Sequence, residues 1–127
     1  MADILAVVDD LFFLAKIQQT AKLTGIQVEP AALQNVMERL RQAPAAAIII
    51  DLNHRSGSAL DVLRGLKNDP DTRQIPVLAF LSHVQTDLAQ AARGAGCDIL
   101  LARSAFSQRL PELLHQLAGK APPTADG

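Results

Sequence analysis

Short, unbroken apolar runs alternate along this chain with longer segments whose apolar residues recur at helical spacing. Ile4 to Val8 reads ILAVV, Ala45 to Ile50 reads AAAIII and Ile75 to Leu81 reads IPVLAFL. Runs that do not alternate with polar residues suit strands covered on both faces, as in a parallel sheet between helices. IQVEP and CDILLA supply a weaker second strand and a fifth strand, opened by Cys97. Between the runs, Leu14, Ile17, Ala21 and Leu23 form one helical stripe that stops at Gly25. Leu33, Val36, Met37 and Leu40 fall at i, i+3, i+4 and i+7, and Leu60, Leu63 and Leu66 share a face. An alanine-rich helix, VQTDLAQAARGAG, and a last helix, SQRLPELLHQLAGK, bent at or beginning near Pro111, complete the pattern. The order is strand then helix, five times. This predicts an α/β fold: a doubly wound, five-stranded parallel sheet flanked by five helices, flavodoxin-like in outline. One domain is expected over residues 1–119, and the segment 120–127, which has no periodicity, is expected to be a disordered tail.

Composition narrows what such a domain does. At 127 residues and 49% hydrophobic content, one domain with a substantial core is expected. The net charge of −1 is interspersed, and aromatic content is 3% with no Trp or Tyr. No strong basic footprint for nucleic acid appears, and few stacking platforms for bases remain. The single cysteine, Cys97, cannot form an internal disulfide, which fits a reducing compartment. The first residues carry Asp3, Asp9 and Asp10, unlike a secretory signal, and no apolar run approaches the ~20 residues of a membrane span. A cytoplasmic protein without membrane contact is expected.

Parallel α/β sheets place working residues beyond the carboxyl ends of their strands. Here those ends carry Asp9 and Asp10, then Asp51, then Ser82 followed by His83, then Arg103. Carboxylates gathered at one edge repel unless a raised pKa, a cation or a divalent metal offsets them. Taken alone, Asp51 could cap a helix, ligate a metal or act as an acid. Oxygen ligands of this kind suit Mg²⁺ or Ca²⁺.

The motifs at these positions resemble those of receiver domains, the phosphate-accepting modules of two-component response regulators (CheY-like). The likeness runs from Asp3 to about Leu117. It rests on VVDD at the first strand end, IIIDLN at the third, AFLS at the fourth and GAGCDILLA leading into the fifth. It implies that Asp51 accepts a phosphoryl group as the nucleophile and that Ser82 binds a phosphoryl oxygen. It further implies that Asp9, Asp10 and Asp51, with the backbone carbonyl of Asn53, hold Mg²⁺. Such chemistry is sound: a carboxylate attacks phosphorus competently, and a metal stabilises the charge that develops.

Four departures qualify the likeness. Arg103 stands where the family has lysine, and Ser104 where it has proline. Arginine is a wider, planar, permanently charged fork, able to clamp a phosphate or to pair with Asp51 and block it. The loop DLNHRSG is shortened and more basic, with His54 and Arg55 beside the acids, and His83 adds a further base. A fixed arginine there could replace the metal's charge. Leu100 replaces the aromatic residue whose rotation reports phosphorylation in the family.

Other residues read more simply. His54 and His83 are expected in solvent. Cys97 is expected to be a small core residue, and the phenylalanines to pack, with one of the adjacent pair Phe12 and Phe13 outside. No G-x-G-x-x-G follows the first strand, where DDLFF would repel a pyrophosphate, and no P-loop or nucleophile elbow is present. The expected function is therefore regulatory and not enzymatic: an atypical stand-alone receiver in two-component-type signalling, acting as an interaction module with impaired or absent phosphorylation switching. The alternative is a functional phosphoacceptor using Asp51 and Mg²⁺. With eight residues beyond Gly119, any effect is expected to pass through a protein partner, a histidine kinase or a downstream regulator. The expected surface is the fourth helix, fifth strand and fifth helix, where a homodimer could also form.

Overall fold

The apolar runs become five strands of one parallel sheet: β1 (Ile4–Val7), β2 (Val28–Pro30), β3 (Ala47–Asp51), β4 (Val77–Leu81) and β5 (Ile99–Ala102). The computed structural model of the chain describes residues 3–55, 57–82 and 85–119. His83 and the segment 120–127 lie outside the described residues. The strand order is β2-β1-β3-β4-β5, the doubly wound arrangement expected. Ile4 to Val7 pair with Ala47 to Ile50, Asp51 pairs with Phe80, and Leu81 pairs with Ala102. This register brings the carboxyl ends of the three central strands to one edge.

The sheet divides the core in two, because successive side chains of a strand point to opposite faces. Ile4, Ala6 and Ile49 face a cluster with Phe13, Leu14, Ile17, Phe106, Leu113 and Leu114. Leu5, Val7, Ile48 and Ile50 face Val36, Leu63, Leu66 and Ala92. The first layer is built by α1 (Leu11–Thr24), α5 (Arg103–Gln108) and α6 (Leu110–Ala118). The second is built by α2 (Val36–Gln42), α3 (Ala59–Asn68) and α4 (Thr86–Ala95). None of these helices is long and apolar enough to cross a membrane.

Several elements differ from their sequence-based bounds. The second helix is preceded by a separate 3-10 turn, Leu33–Asn35. The last helical stretch is two helices, giving six α-helices among the described residues: α5 begins at Arg103, and the chain breaks at Arg109 (φ −108°, ψ 20°) before α6. Pro111 lies in the first turn of α6, where its missing N–H has no intrahelical partner to lose. In one continuous helix Pro111 would leave the Ser107 carbonyl without its amide donor and its ring would crowd that carbonyl, which accounts for the break. Leu23 leaves the inner stripe of α1 and is 84% exposed. It lies two positions after buried Ala21, about 200° round a helix of 3.6 residues per turn. Phe12 is outside and Phe13 inside. Gly25 closes α1 in the left-handed region at φ 77°, its amide directed at the carbonyls of Ala21 and Lys22. Cys97 precedes β5 instead of opening it. It is half-buried against the second core layer, and burial, reinforced by Asp98, pushes its thiol up.

Candidate functional site: the acidic sheet edge

Asp10 follows β1 and caps α1. Its Oδ1 accepts from the amides of Phe12 (3.0 Å) and Phe13 (3.1 Å), satisfying donors that the helix itself cannot. Its Oδ2 receives the Arg103 guanidinium. That guanidinium also lies over the Phe13 ring, 4.3 Å from its centroid. Arg103 is the first residue of α5 and not the last of β5. It therefore ties the start of α5 to the start of α1, and the Arg103 pair, then the Phe13 amide, holds the Asp10 carboxyl below its usual range. Of the two roles open to Arg103 from sequence, blocking Asp51 by a direct pair is not the one adopted.

Asp51 ends β3 and is 3% exposed. Its Oδ1 accepts from the Asn53 amide at 2.8 Å. Burial raises its pKa, opposed by the Asn53 hydrogen bond, while Asp9 raises it further. Asp9 Oδ2 accepts from the Arg55 amide at 2.9 Å and lies 3.9 Å from His54 Nδ1. The basic loop thus meets the acids through a backbone amide of Arg55, whose side chain is exposed. The His54 side chain is only 6% exposed, a correction to its expected place in solvent. The short loop folds back after Asp51, with the His54 amide on the Asp51 carbonyl, and that turn carries the imidazole inward.

Asn53 is the hub of the loops. Besides its amide bond to Asp51, its Oδ1 accepts from the Ser82 amide (2.8 Å) and its Nδ2 donates to Gln85 Oε1 (2.7 Å). Ser82 is exposed beyond β4, its amide held by Asn53. Leu100 is half-buried and packs on the second core layer. Asp9, Asp10, Asp51, Asn53, Ser82 and Arg103 are thus all brought to one sheet edge, where Asp9, Asp10 and Arg55 line a shallow depression. The sequence carried no signal for Gln85, an ordinary loop residue, and Phe13 read only as a packing residue. Below the edge, Phe13 contacts Phe80 and Phe106 at 5.2 Å and 5.8 Å between centroids, and Phe80 stacks on Phe106 at 5.4 Å.

Four of the six carboxylate oxygens at this edge are engaged elsewhere. Both Asp10 oxygens serve the helix cap and Arg103, one Asp9 oxygen serves Arg55, and one Asp51 oxygen serves Asn53. Among the described residues, no group of three or more His, Cys, Asp or Glu is placed to hold a metal ion. In this arrangement Asp10 has no carboxylate oxygen left over for a divalent ion. The guanidinium of Arg103 supplies positive charge beside them.

The sequence matches no protein-family model and no curated protein. Solved structures of receiver domains do match. The signal receiver domain of a signal transduction histidine kinase from Syntrophus aciditrophicus superposes with a TM-score of 0.82 at 20% identity, covering 100% of this chain and 97% of that one. The chemotaxis response regulator CheY4 of Vibrio cholerae gives 0.79 at 20%, covering 92% and 98%. The Mn²⁺-bound form of response regulator Rcp1 gives 0.75 at 22%, covering 96% and 95%. At these identities the likeness is one of fold: the chain has the receiver-type, flavodoxin-like architecture.

Proposed function

We propose that this chain is an atypical receiver domain in two-component-type signal transduction, acting as a protein-interaction module without a phosphorylation switch. The observation that carries this reading is the pair of Arg103 with Asp10. A receiver that works through a metal needs Asp10 free to bind it, and here Asp10 is committed to the α1 cap and to a permanent cation. Three further features support the reading. Asp51 is buried, although a nucleophile must meet its donor. Asn53 draws the loops after β3 and β4 together through Ser82 and Gln85. Leu100 has no polar tip to move between core and solvent. Small displacements of reacting groups are costly in transfer chemistry. The module's partner is a histidine kinase or a downstream regulator, and its setting is the cytoplasm.

A second reading keeps Asp51 as a working phosphoacceptor with Mg²⁺, Ser82 and Arg103 orienting the phosphoryl group. It is favoured by the position of Asp51 at the carboxyl end of a central strand, beside Asp9 and two residues before Asn53, from whose amide it accepts. The Mn²⁺-bound state of Rcp1, a protein of the same fold, points the same way.

Intact-protein mass after incubation with acetyl phosphate and Mg²⁺ separates the two. Phosphoryl transfer would form a bond from an Asp51 oxygen to phosphorus and release acetate. The interaction-module reading expects no added phosphoryl group in the wild type, in Arg103→Lys or in the Asp51→Asn control. A gain in the wild type that Asp51→Asn abolishes would replace it with the phosphoacceptor reading.

A further inference from the structure

The strand β2 is an edge of the sheet, and a groove runs along each side of it. On the α1 side a groove of about 650 Å³ is lined by Gln18, Lys22, Gln27 and Val28. On the α2 side a groove of about 440 Å³ is lined by Asn35, Glu38, Arg39 and Gln42. Glu29 and Pro30 line both, so the edge strand is the wall that the two grooves share.

The backbone of β2 turns outward at alternate residues. The Gln27 carbonyl accepts from the amides of Asp3 and Ile4, and the Ala31 amide donates to the Ala6 carbonyl. Glu29 lies two residues from each and turns to β1 as they do, so Val28 and Pro30 turn the other way. Val28 thus directs an N–H and a C=O away from the sheet, and Pro30 directs a C=O alone. Side chains alternate as well. Val28 packs on the α1 layer, whereas Glu29 points to α2, where it accepts from Arg39 at 2.8 Å. A strand added beside β2 would bond to Val28 and send successive side chains into the two grooves in turn. Main-chain bonds for affinity and alternate pockets for specificity are how sheet edges take up extended peptides.

Charge selects what enters each groove. Glu29 is already held by Arg39, whose guanidinium also donates to the Ala43 carbonyl. Exposed Lys22, in the last turn of α1, therefore sets the sign of the α1-side groove. The other groove offers the side-chain amides of Asn35 and Gln42, and its Glu38 is paired with Arg41 at 3.1 Å. It suits uncharged polar groups.

We infer that the β2 edge binds an extended segment of a partner protein, in which acidic residues facing Lys22 alternate with uncharged polar residues facing Asn35 and Gln42. The inference rests on the interaction-module reading above and places the contact on β2, not on the face formed by α4, β5 and α5. A second copy is a poorer occupant. Two β2 strands paired antiparallel about a two-fold axis would bring their α1 sides together and set Lys22 against Lys22. The edge is also short and closed by Pro30, as edges guarded against self-pairing are.

The test uses the full chain, ¹⁵N-labelled, and N-acetylated peptides of about nine residues that alternate threonine with glutamate or threonine with lysine. The glutamate peptide is expected to shift the amide signals of β2 and to bind at least about tenfold more tightly than the lysine peptide. Lys22→Glu reverses that preference, and Asp51→Asn binds as the wild type does. Val28→Pro, which removes an outward donor, binds about tenfold more weakly. N-methylation of one alternate set of peptide residues abolishes binding and of the other set spares it, because a strand turns only every second amide to its neighbour. Equal binding of the two peptides, equal loss from either methylated set, shifts confined to other elements, or no binding overturns the inference. So does a sedimenting dimer whose concentration-dependent shifts fall on β2. Acetyl phosphate labelling of the wild type would instead overturn the interaction-module reading, whatever the peptides do. A wild type that takes up no phosphoryl group and binds no peptide leaves that reading standing and removes only the β2 surface.

Discussion

Arg103 reaches across the sheet edge to Asp10 and leaves Asp51 to the backbone amide of Asn53. The contact joins two helix starts, α5 and α1, through one guanidinium that also covers the Phe13 ring. Arg103→Ala is expected to lower stability. The ring contact alone contributes about 0.5–1 kcal/mol, and the lost pair adds to it. Arg103→Lys keeps the charge without the planar fork and should fall between. Urea unfolding of the three proteins checks the order, and a lysine variant equal to alanine would show that the charge contributes nothing.

The same contact makes a metal prediction. With Asp10 held by Arg103, Mg²⁺ should leave the melting temperature of the wild type unchanged. In Arg103→Ala an Asp10 oxygen is released beside Asp9 and Asp51, and Mg²⁺ should raise the melting temperature by mass action on the folded state. Calorimetric scans with and without Mg²⁺ decide, and a wild-type shift as large as the variant's would refute the substitution of cation for metal.

Asp10 and Asp51 should pull stability in opposite directions with pH. The Asp10 carboxyl is held below its ordinary value of 3.8 by Arg103 and the Phe13 amide. Its contribution is complete above that value and is lost as pH falls through the lower folded one. The Asp51 carboxyl is raised above 3.8 by burial. Its folded state favours the proton, so its contribution is present at low pH and is lost as pH rises through the raised value. Asp51→Asn should therefore melt above the wild type at neutral pH, with the gain shrinking towards pH 3.8. Asp10→Asn should melt below the wild type at neutral pH, with the deficit closing on acidification. Melting temperatures between neutral and acid pH would contradict both if the three curves ran parallel.

Asn53 joins three segments through its amide and both side-chain atoms. Asn53→Ala removes the bonds to Ser82 and Gln85 and should cost about 1–3 kcal/mol, at roughly 0.5–1.5 kcal/mol for each hydrogen bond. Amide exchange at Ser82 should quicken while β3 amides stay protected. Unchanged exchange at Ser82 would mean that Asn53 does not hold this loop.

Phe12 should differ sharply from the aromatic cluster beneath it. Phe80 is fully buried between Phe13 and Phe106, so Phe80→Ala should cost about 3–5 kcal/mol. Phe12 is 91% exposed, and Phe12→Ala should stay within about 0.5 kcal/mol of the wild type. Chemical denaturation of both would expose an error in the placement of α1 if Phe12→Ala proved costly.

Much of the fold was legible before any coordinates because burial leaves period-specific marks. AAAIII has the length and β-branched content of a strand covered on both sides, and Val36, Met37 and Leu40 fall on one face of a helix. Those marks determined the α/β class, the parallel sheet and the edge at which Asp9, Asp10, Asp51, Ser82 and Arg103 meet. They did not separate α5 from α6, because the backbone preference of the residues before Pro111 does not say on which side of it the chain breaks. They misplaced Leu23, since an apolar residue at nearly helical spacing can still fall on the solvent face. Which partners the charges choose was decided by tertiary structure alone. Arg103 meets Asp10 and not Asp51, His54 turns inward, and Asn53 finds Gln85, because hydrogen bonds and ion pairs depend on distances of a few ångströms. Such distances are set by how loops from separate strands pack together, and no local pattern in the chain records them.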